Sequence, residues 1–290
     1  MTDDTLDKRL VRRAFDQASA TYDAAAVLQH EVCRRMAERL DYIRHEPAVV
    51  LDAGTGTGNA LPLLRERYRK AQLVAFDLAP GMLRAARARE PWWRGLPGTG
   101  PALTAVCGDV ERLPFATGAV DLVWSNLALQ WVNDLPATFK ELLRVLKPGG
   151  LLMFSTFGPD TLKELRAAYA GTGHTHVNRF IDMHDIGDML TAARYADPVI
   201  DMEMFTLTYA DVRDLMRELK DIGAHNVTAG RPRGLTGRKA LAAVTSAYEG
   251  FRRDGRLPAT FEVIYGHAWK PLPRLSPSGR PVIDIAVKDG

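Results

Sequence analysis

The sequence predicts an α/β fold: a mostly parallel sheet with helices on both faces. Three observations carry this reading. Short apolar runs recur along the first half of the chain, each ending on an acidic or small residue. Between them lie stretches with apolar residues at three- and four-residue steps, the period of a helix packed on one side. The first run opens directly into a cluster of glycines, as a buried parallel strand does when it turns into a loop.

Taken in order, residues 5–44 read as helical. Leu6, Leu10 and Phe15 begin an apolar pattern that Val27, Leu28, Val32, Met36 and Leu40 continue. The run 48–52, ending in Asp52, predicts the first strand. Leu73–Asp77, Leu103–Cys107 (followed by Gly108 and Asp109), Val120–Ser125 and Leu151–Ser155 predict the next four. Phe139, Leu142, Leu143 and Leu146 predict a helix, stopped by Pro148, Gly149 and Gly150. Beyond residue 157 the rhythm changes. Helices are expected at about 160–170 and 184–193, then a longer strand near 199–209. The segment 211–222 is a strong amphipathic helix, with Val212, Leu215, Met216, Leu219 and Ile222 on one face. A loop rich in Gly, Pro and Arg spans 223–237, a helix follows near 238–253, and Phe261–Tyr265 reads as the last strand. The organisation expected is a helical lid at 1–46, a ligand-binding core at 47–157, substrate-binding helices and the last strands at 158–270, and a loosely ordered tail at 271–290. Because the lid precedes the first strand, the sheet is not expected to need it.

Composition narrows the class. The chain has 290 residues, 46% hydrophobic and 25% charged, enough to build a large core and too apolar for a disordered protein. It holds no run of 18 apolar residues and no apolar stretch behind its acidic N-terminus, so neither a membrane span nor a secretory signal is expected. Cys33 and Cys107 lie far apart without metal-ligand spacing and read as inert core thiols of a cytoplasmic protein. His174 and His176 lack the cysteine or carboxylate partners that would complete a metal site, so no metal is expected. The net charge of +3 is too small to imply wholesale nucleic-acid binding.

The most informative string is Asp52-Ala53-Gly54-Thr55-Gly56-Thr57-Gly58. Glycines at a strand-to-helix turn let the backbone approach a ligand and present its amides. A dinucleotide loop spaces its third glycine one residue further on, and an acid beside a pyrophosphate is repulsive. Asp52 suits instead a ligand with a cationic amino-acid end. Asp77, closing the second strand, is placed to accept hydrogen bonds from two ribose hydroxyls, and Asp109 to accept one from an adenine amino group. The bland alternative is that all three acids cap the helices that follow.

These three acids, the GxGxG loop and Pro148-Gly149-Gly150 resemble the class I S-adenosyl-L-methionine-dependent methyltransferases. The resemblance implies a Rossmann-like, seven-stranded sheet whose last strand is inserted antiparallel. A more specific resemblance covers nearly the whole chain. Arg13-Ala-Phe-Asp-Gln-Ala-Ser-Ala-Thr-Tyr22-Asp, Trp124-Ser-Asn126-Leu-Ala-Leu-Gln-Trp131, Asn178-Arg179-Phe180, Leu215 to Ala224 and Glu262 to Trp269 are similar to the malonyl-[acyl-carrier-protein] O-methyltransferases of biotin synthesis. That family implies methylation of the free carboxylate of a malonyl thioester, on an acyl carrier protein or coenzyme A, to its methyl ester. This step primes pimeloyl synthesis and leaves S-adenosyl-L-homocysteine. A related mitochondrial complex I assembly factor, associated with arginine hydroxylation, shares the segment from Trp131 to Leu135 and stays open as an alternative. So do a methylase of another small molecule and a binding module that merely uses the fold. By resemblance, the cofactor residues are Gln17, Tyr22, Asp52, Gly54, Gly56, Gly58, Asp77, Met82, Asp109, Val110, Asn126 and Leu127.

A malonyl carboxylate, with a pKa near about 4, is already ionised at neutral pH, so the reaction needs no general base. What remains is to hold and orient the anion. Tyr22, Arg179, Arg217 and Lys220 are the candidates, with Arg213 beside them on the 211–222 helix. The plainer reading of these cations is a solvated face paired with Asp214, Glu218 and Asp221. Between 223 and 256, seven basic residues stand against Glu249 and Asp254. Arg231, Arg233, Arg238 and Lys239 are therefore expected to dock the acidic, phosphopantetheine-bearing carrier.

Overall fold

The computed structural model describes residues 5–170, 180–224 and 238–273. Three N-terminal helices come first: α1 (Lys8–Ala18), α2 (Tyr22–Ala25) and α3 (Val27–Arg39). Then β1 (Val49–Ala53), α4 (Ala60–Arg67), β2 (Gln72–Asp77), α5 (Pro80–Ala88) and β3 (Thr104–Cys107) alternate as expected. β4 (Val120–Ser125), α6 (Leu135–Val145) and β5 (Leu146–Phe157) complete the parallel part. The second half adds α7 (Lys163–Tyr169), α8 (Met183–Ala192), β6 (Ala196–Tyr209), α9 (Val212–Asp221), α10 (Arg238–Glu249) and β7 (Leu257–Trp269).

The strand order is β3-β2-β1-β4-β5-β7-β6. The first five strands are parallel, and β7 lies antiparallel to both β5 and β6. Side chains alternate across this sheet and split the core in two. Val50, Leu122, Trp124, Leu151 and Met153 face α3 and α4. Leu51, Val123, Leu152 and Phe154 face α6 and α8. Because both faces are covered, the parallel strands are nearly continuous apolar runs, which made them legible.

The N-terminal segment divides in two. α1 and α2 lie over the ends of β1 and β2, whereas α3 buries Leu28, Val32, Met36 and Leu40 with its following turn in the sheet core. At roughly 1.5–3 kcal/mol for each buried aliphatic side chain, that burial is comparable to the whole stability of a typical domain. α3 is therefore part of the core, whereas Val11 and Phe15 of α1 and Tyr22 of α2 border the cavity.

Three local expectations are corrected. Cys33 is buried as expected, but Cys107 is exposed, because β3 is a four-residue strand at the sheet edge with little to cover it. Both thiols are free. The helix α6 stops at Val145, before Pro148, and Pro148 to Gly150 lie inside β5, where a bulge shifts the register against β4. The helix expected over 238–253 ends at Glu249. The tail from residue 274, the 223–237 loop beyond Ala224, and His174 and His176 lie outside the described residues.

The β5–β7 seam offers a direct test of packing. A Cβ added at Gly266 would come within 2.3 Å of the Phe154 ring, which is itself fully buried against Phe139. The Gly266→Ala variant should lose about 1–3 kcal/mol in denaturant unfolding through overpacking; an unchanged midpoint would mean the seam is looser than this geometry.

Candidate active site

The C-terminal ends of β1, β2 and β4 converge on one cavity. After β1 the chain turns back at Gly54 (φ +82°), and the Gly54 and Thr55 amides donate to Phe76 O at 2.8 and 3.0 Å. Glycine is required there twice over: the dihedral is left-handed, and a Cβ would come within 2.3 Å of Ala128 Cβ. Gly58 (φ +85°) lets α4 approach α5, since a Cβ would meet Leu61 and Ala86 at 2.8 and 3.0 Å. The early third glycine therefore serves helix packing.

Two acids close the adjacent strands. Asp52 is 2% exposed, and its carboxylate accepts from the Thr55 hydroxyl at 2.6 Å. Burial pushes its pKa up to about 7, against the lowering effect of that hydrogen bond and with help from the nearby Asp77 charge. Asp77 accepts from the Gly56 and Ala79 amides at 2.9 and 2.8 Å, tying the loop to the start of α5. Burial raises it to about 6 despite those bonds. Among the described residues, no side-chain cation is bonded to either carboxylate.

The cavity wall gathers several of the residues singled out by sequence. Gly54, Gly56, Asp77 and Met82 line one side, and Asp109, Val110, Asn126 and Leu127 the other. Tyr22 closes the cavity from α2 and also borders a second chamber lined by Gln29, His30, Asp52, Thr57 and Asn59. Burial and the charges of Asp77 and Asp23 hold its phenol well above the ordinary tyrosine range, so it stays protonated at neutral pH. Asn126 stands between the two chambers. Its Oδ1 accepts from the buried Ser155 hydroxyl at 2.8 Å, and its Nδ2 donates to Gln29 O on α3 at 3.1 Å. The same Ser155 Oγ accepts from the Leu127 amide, holding Leu127 in a left-handed conformation at φ +47°.

Other nominated residues lie elsewhere. Gly58 is in the loop but away from the cavity lining, and Gln17 is exposed among Arg9, Arg12 and Arg13. Arg217 is exposed and donates to Asp214 at 2.9 Å, the plainer pairing that the sequence also allowed. Arg213 and Lys220 are exposed and do not line the cavity. Arg179, Arg231 and Arg233 lie outside the described residues, and of Arg238 and Lys239 only the backbone, at the start of α10, is described.

Sequence reasoning missed three contributors. Lys8 Nζ pairs with Asp109 and Glu111 at 3.0 and 2.8 Å, fastening α1 over the cavity. Trp131 stands edge-on to Phe15, with centroids 5.2 Å apart, and both line the wall. Ser155, from the neighbouring strand β5, sets the orientation of Asn126. Each acts across a long stretch of sequence, so no local pattern marks it.

Residues 51–154 match the model of a methyltransferase domain family. The chain is 57% identical over 289 residues to a malonyl-[acyl-carrier protein] O-methyltransferase of Gallionella capsiferriformans, covering 99% of each chain. It is 60% identical over 272 residues to the protein of that name from Laribacter hongkongensis, covering 92% of this chain and 91% of the relative. Among solved structures, the YcgJ protein from Bacillus subtilis superimposes with a TM-score of 0.57 at 17% identity, over 83% of this chain and 99% of that one, a likeness of fold.

The buried carboxylates have a consequence for stability. A carboxyl whose pKa rises on folding favours the folded state only while protonated, so this contribution fades as pH climbs past the ordinary value near about 4 towards about 7. Without cofactor, Asp52→Asn should melt higher than the parent protein at about pH 8, with the gap narrowing as pH falls and closing at about pH 4. Parallel melting curves across that range would contradict the burial of a titrating Asp52.

Proposed function

The chain belongs to the malonyl-[acyl-carrier protein] O-methyltransferase family, and from that premise we propose that it transfers the methyl group of S-adenosyl-L-methionine to the free carboxylate of a malonyl thioester carried by an acyl carrier protein. The relatives carry this name along nearly the full chain, which favours the carboxyl methylation over the arginine-hydroxylating and non-enzymatic readings.

The observation that carries the reading is the buried pair Asp52 and Asp77 beside a glycine cradle. A ligand with an ammonium and a sulfonium supplies the positive charge that neither Asp52 nor Asp77 finds in a bonded side chain among the described residues, so the residues present fit the cofactor. In the proposed arrangement the Gly54–Gly56 backbone and Asp52 hold its amino-acid end. Asp77 receives the ribose hydroxyls, while Asp109 and Val110 border the adenine beside Met82 and Leu127. The bound sulfonium supplies an electrophilic methyl group with a neutral thioether as leaving group.

The chain's own task is then to position. One malonyl carboxylate oxygen forms the new C–O bond as the S–CH₃ bond breaks, and its electron pair passes to sulfur. No proton moves, so no general base is needed. Holding the two reactants in line can contribute roughly 7–11 kcal/mol. Of the four nominated anion-holding residues, Tyr22 is the one whose described side chain reaches the cavity. Its protonated phenol is suited to donate to the malonyl carboxylate. Asn126, fixed by Ser155, borders the same junction. Phe15 and Trp131 exclude water above it.

Intact-mass analysis of malonyl-acyl carrier protein after incubation with S-adenosyl-L-methionine should show the gain of one methyl group in place of a proton. Asp77→Ala, which removes buried hydrogen-bond acceptors worth about 1–3 kcal/mol each, should bind the cofactor roughly ten- to a hundred-fold more weakly by calorimetry. A carrier of unchanged mass would overturn the assignment of the reaction. Unchanged affinity would overturn the role of Asp77.

A further inference from the structure

On the side of α4 and α5 away from the cofactor cavity lies an open cleft of about 820 Å³, bounded by the loop 91–101. Its walls contribute Arg65, Arg69, Lys70, Arg89 and Arg94 against Glu66 and Glu90. Arg65 is neutralised by Glu90 at 2.8 Å, but among the described residues Arg69 and Lys70 form no ion pair, and both are exposed. The rim is apolar and unusually open. Trp92 is 87% exposed, Leu96 50% and Trp93 41%, with the Arg94 guanidinium 5.0 Å from the Trp93 ring centroid. Arg94 Nε is buried without a hydrogen-bond partner. Exposed aromatic side chains interleaved with arginine have the composition of a protein-binding surface.

The cleft also communicates with the site. Arg89, in its wall, pairs with Asp23 of α2, and Asp23 in turn accepts from the Thr57 hydroxyl in the wall of the second chamber. Asp23 is the neighbour of Tyr22. The contacts Arg89–Asp23–Thr57 thus link the basic cleft to the chamber that borders Tyr22 and Asn126.

We propose that this cleft, with Trp92 and Leu96 on its rim, is a docking surface for the acidic protein that carries the malonyl thioester. The proposal rests on the function assigned above and deepens it by naming where the carrier sits. Charge complementarity selects an acidic partner, and the apolar rim selects one that presents an apolar contact beside its acids. This surface is formed by described residues.

The test compares malonyl-acyl carrier protein with malonyl-coenzyme A as substrates for the full-length enzyme. Arg69→Glu with Lys70→Glu should raise KM for the carrier-borne substrate about ten-fold or more at low salt and flatten its salt dependence. KM for malonyl-coenzyme A and kcat for both substrates should stay within about two-fold. Trp92→Ala should raise the carrier KM without changing its salt dependence. Circular dichroism and melting temperature check that the exposed substitutions leave the fold intact. Equal KM values for parent and variant would overturn the docking surface, as would equal damage to both substrates. An effect confined to Arg231→Glu with Arg233→Glu would also overturn it and move docking to that cluster. If the parent enzyme forms no methyl ester on the malonyl carrier, the functional reading itself falls, and with it the carrier as occupant.

Discussion

Two carboxylates buried side by side, with no cation bonded to either among the described residues, are the constraint on which the rest of this structure depends. Asp52 and Asp77 end adjacent parallel strands, and burial raises both above the ordinary aspartate range. Hydroxyl and amide donors offset only part of that cost. A fold keeps such a pair where a ligand supplies what is missing, because charges withdrawn from water are tolerated only when paired. The glycine loop follows from the same demand. It brings backbone amides close to where the ligand lies, and Asp77 holds the loop by accepting from Gly56.

The covering helices extend this logic to the entrance. α1 and α2 are fastened by polar contacts made at their ends: Lys8 to Asp109 and Glu111, Asp16 to the Gly81 amide at 2.6 Å, and Asp23 to Thr57 and Arg89. α1 also buries Val11 beside Leu78 and Trp131 and Ala18 against Ala79 and Met82, while α3 is buried in the sheet core. Partly exposed polar fastenings are weak singly, and ion pairs of this kind contribute about 0–1 kcal/mol each. The same arrangement puts Tyr22 at the junction of two chambers, so α2 contributes a side chain to the site.

Much of this was legible in the sequence, for physical reasons. Parallel strands covered on both faces must be apolar throughout, which exposed β1, β2, β4 and the centre of β5 as continuous runs ending at Asp52, Asp77 and Ser125. Glycines in left-handed turns marked the loop. β6 was legible to within three residues, but β7 extends four residues beyond its suggested run at each end, because pairing with β5 and β6 sustains strand where composition alone is ambiguous. The exposure of Cys107 was hidden for a related reason, since a strand at the sheet edge has the sequence of a buried one without its cover. The cation cluster on α9 was visible, but not that Arg213, Arg217 and Lys220 all stay exposed and off the cavity lining. Arg217 is taken up by Asp214, one turn away. Lys8, Trp131 and Ser155 reach the site only through tertiary contacts, and no spacing announces them.

The most direct test of the account is whether cofactor binding moves protons. Between about pH 6 and pH 7, where Asp52 and Asp77 titrate, a cationic ligand should drive both carboxyls into their ionised form. Titration calorimetry of S-adenosyl-L-methionine in buffers of different ionisation enthalpy should therefore report net proton release in that range. The release should shrink in Asp52→Asn and vanish above about pH 8, where both groups are already ionised. Tight binding with no proton release between those values would contradict a pocket organised around two buried carboxylates waiting for positive charge.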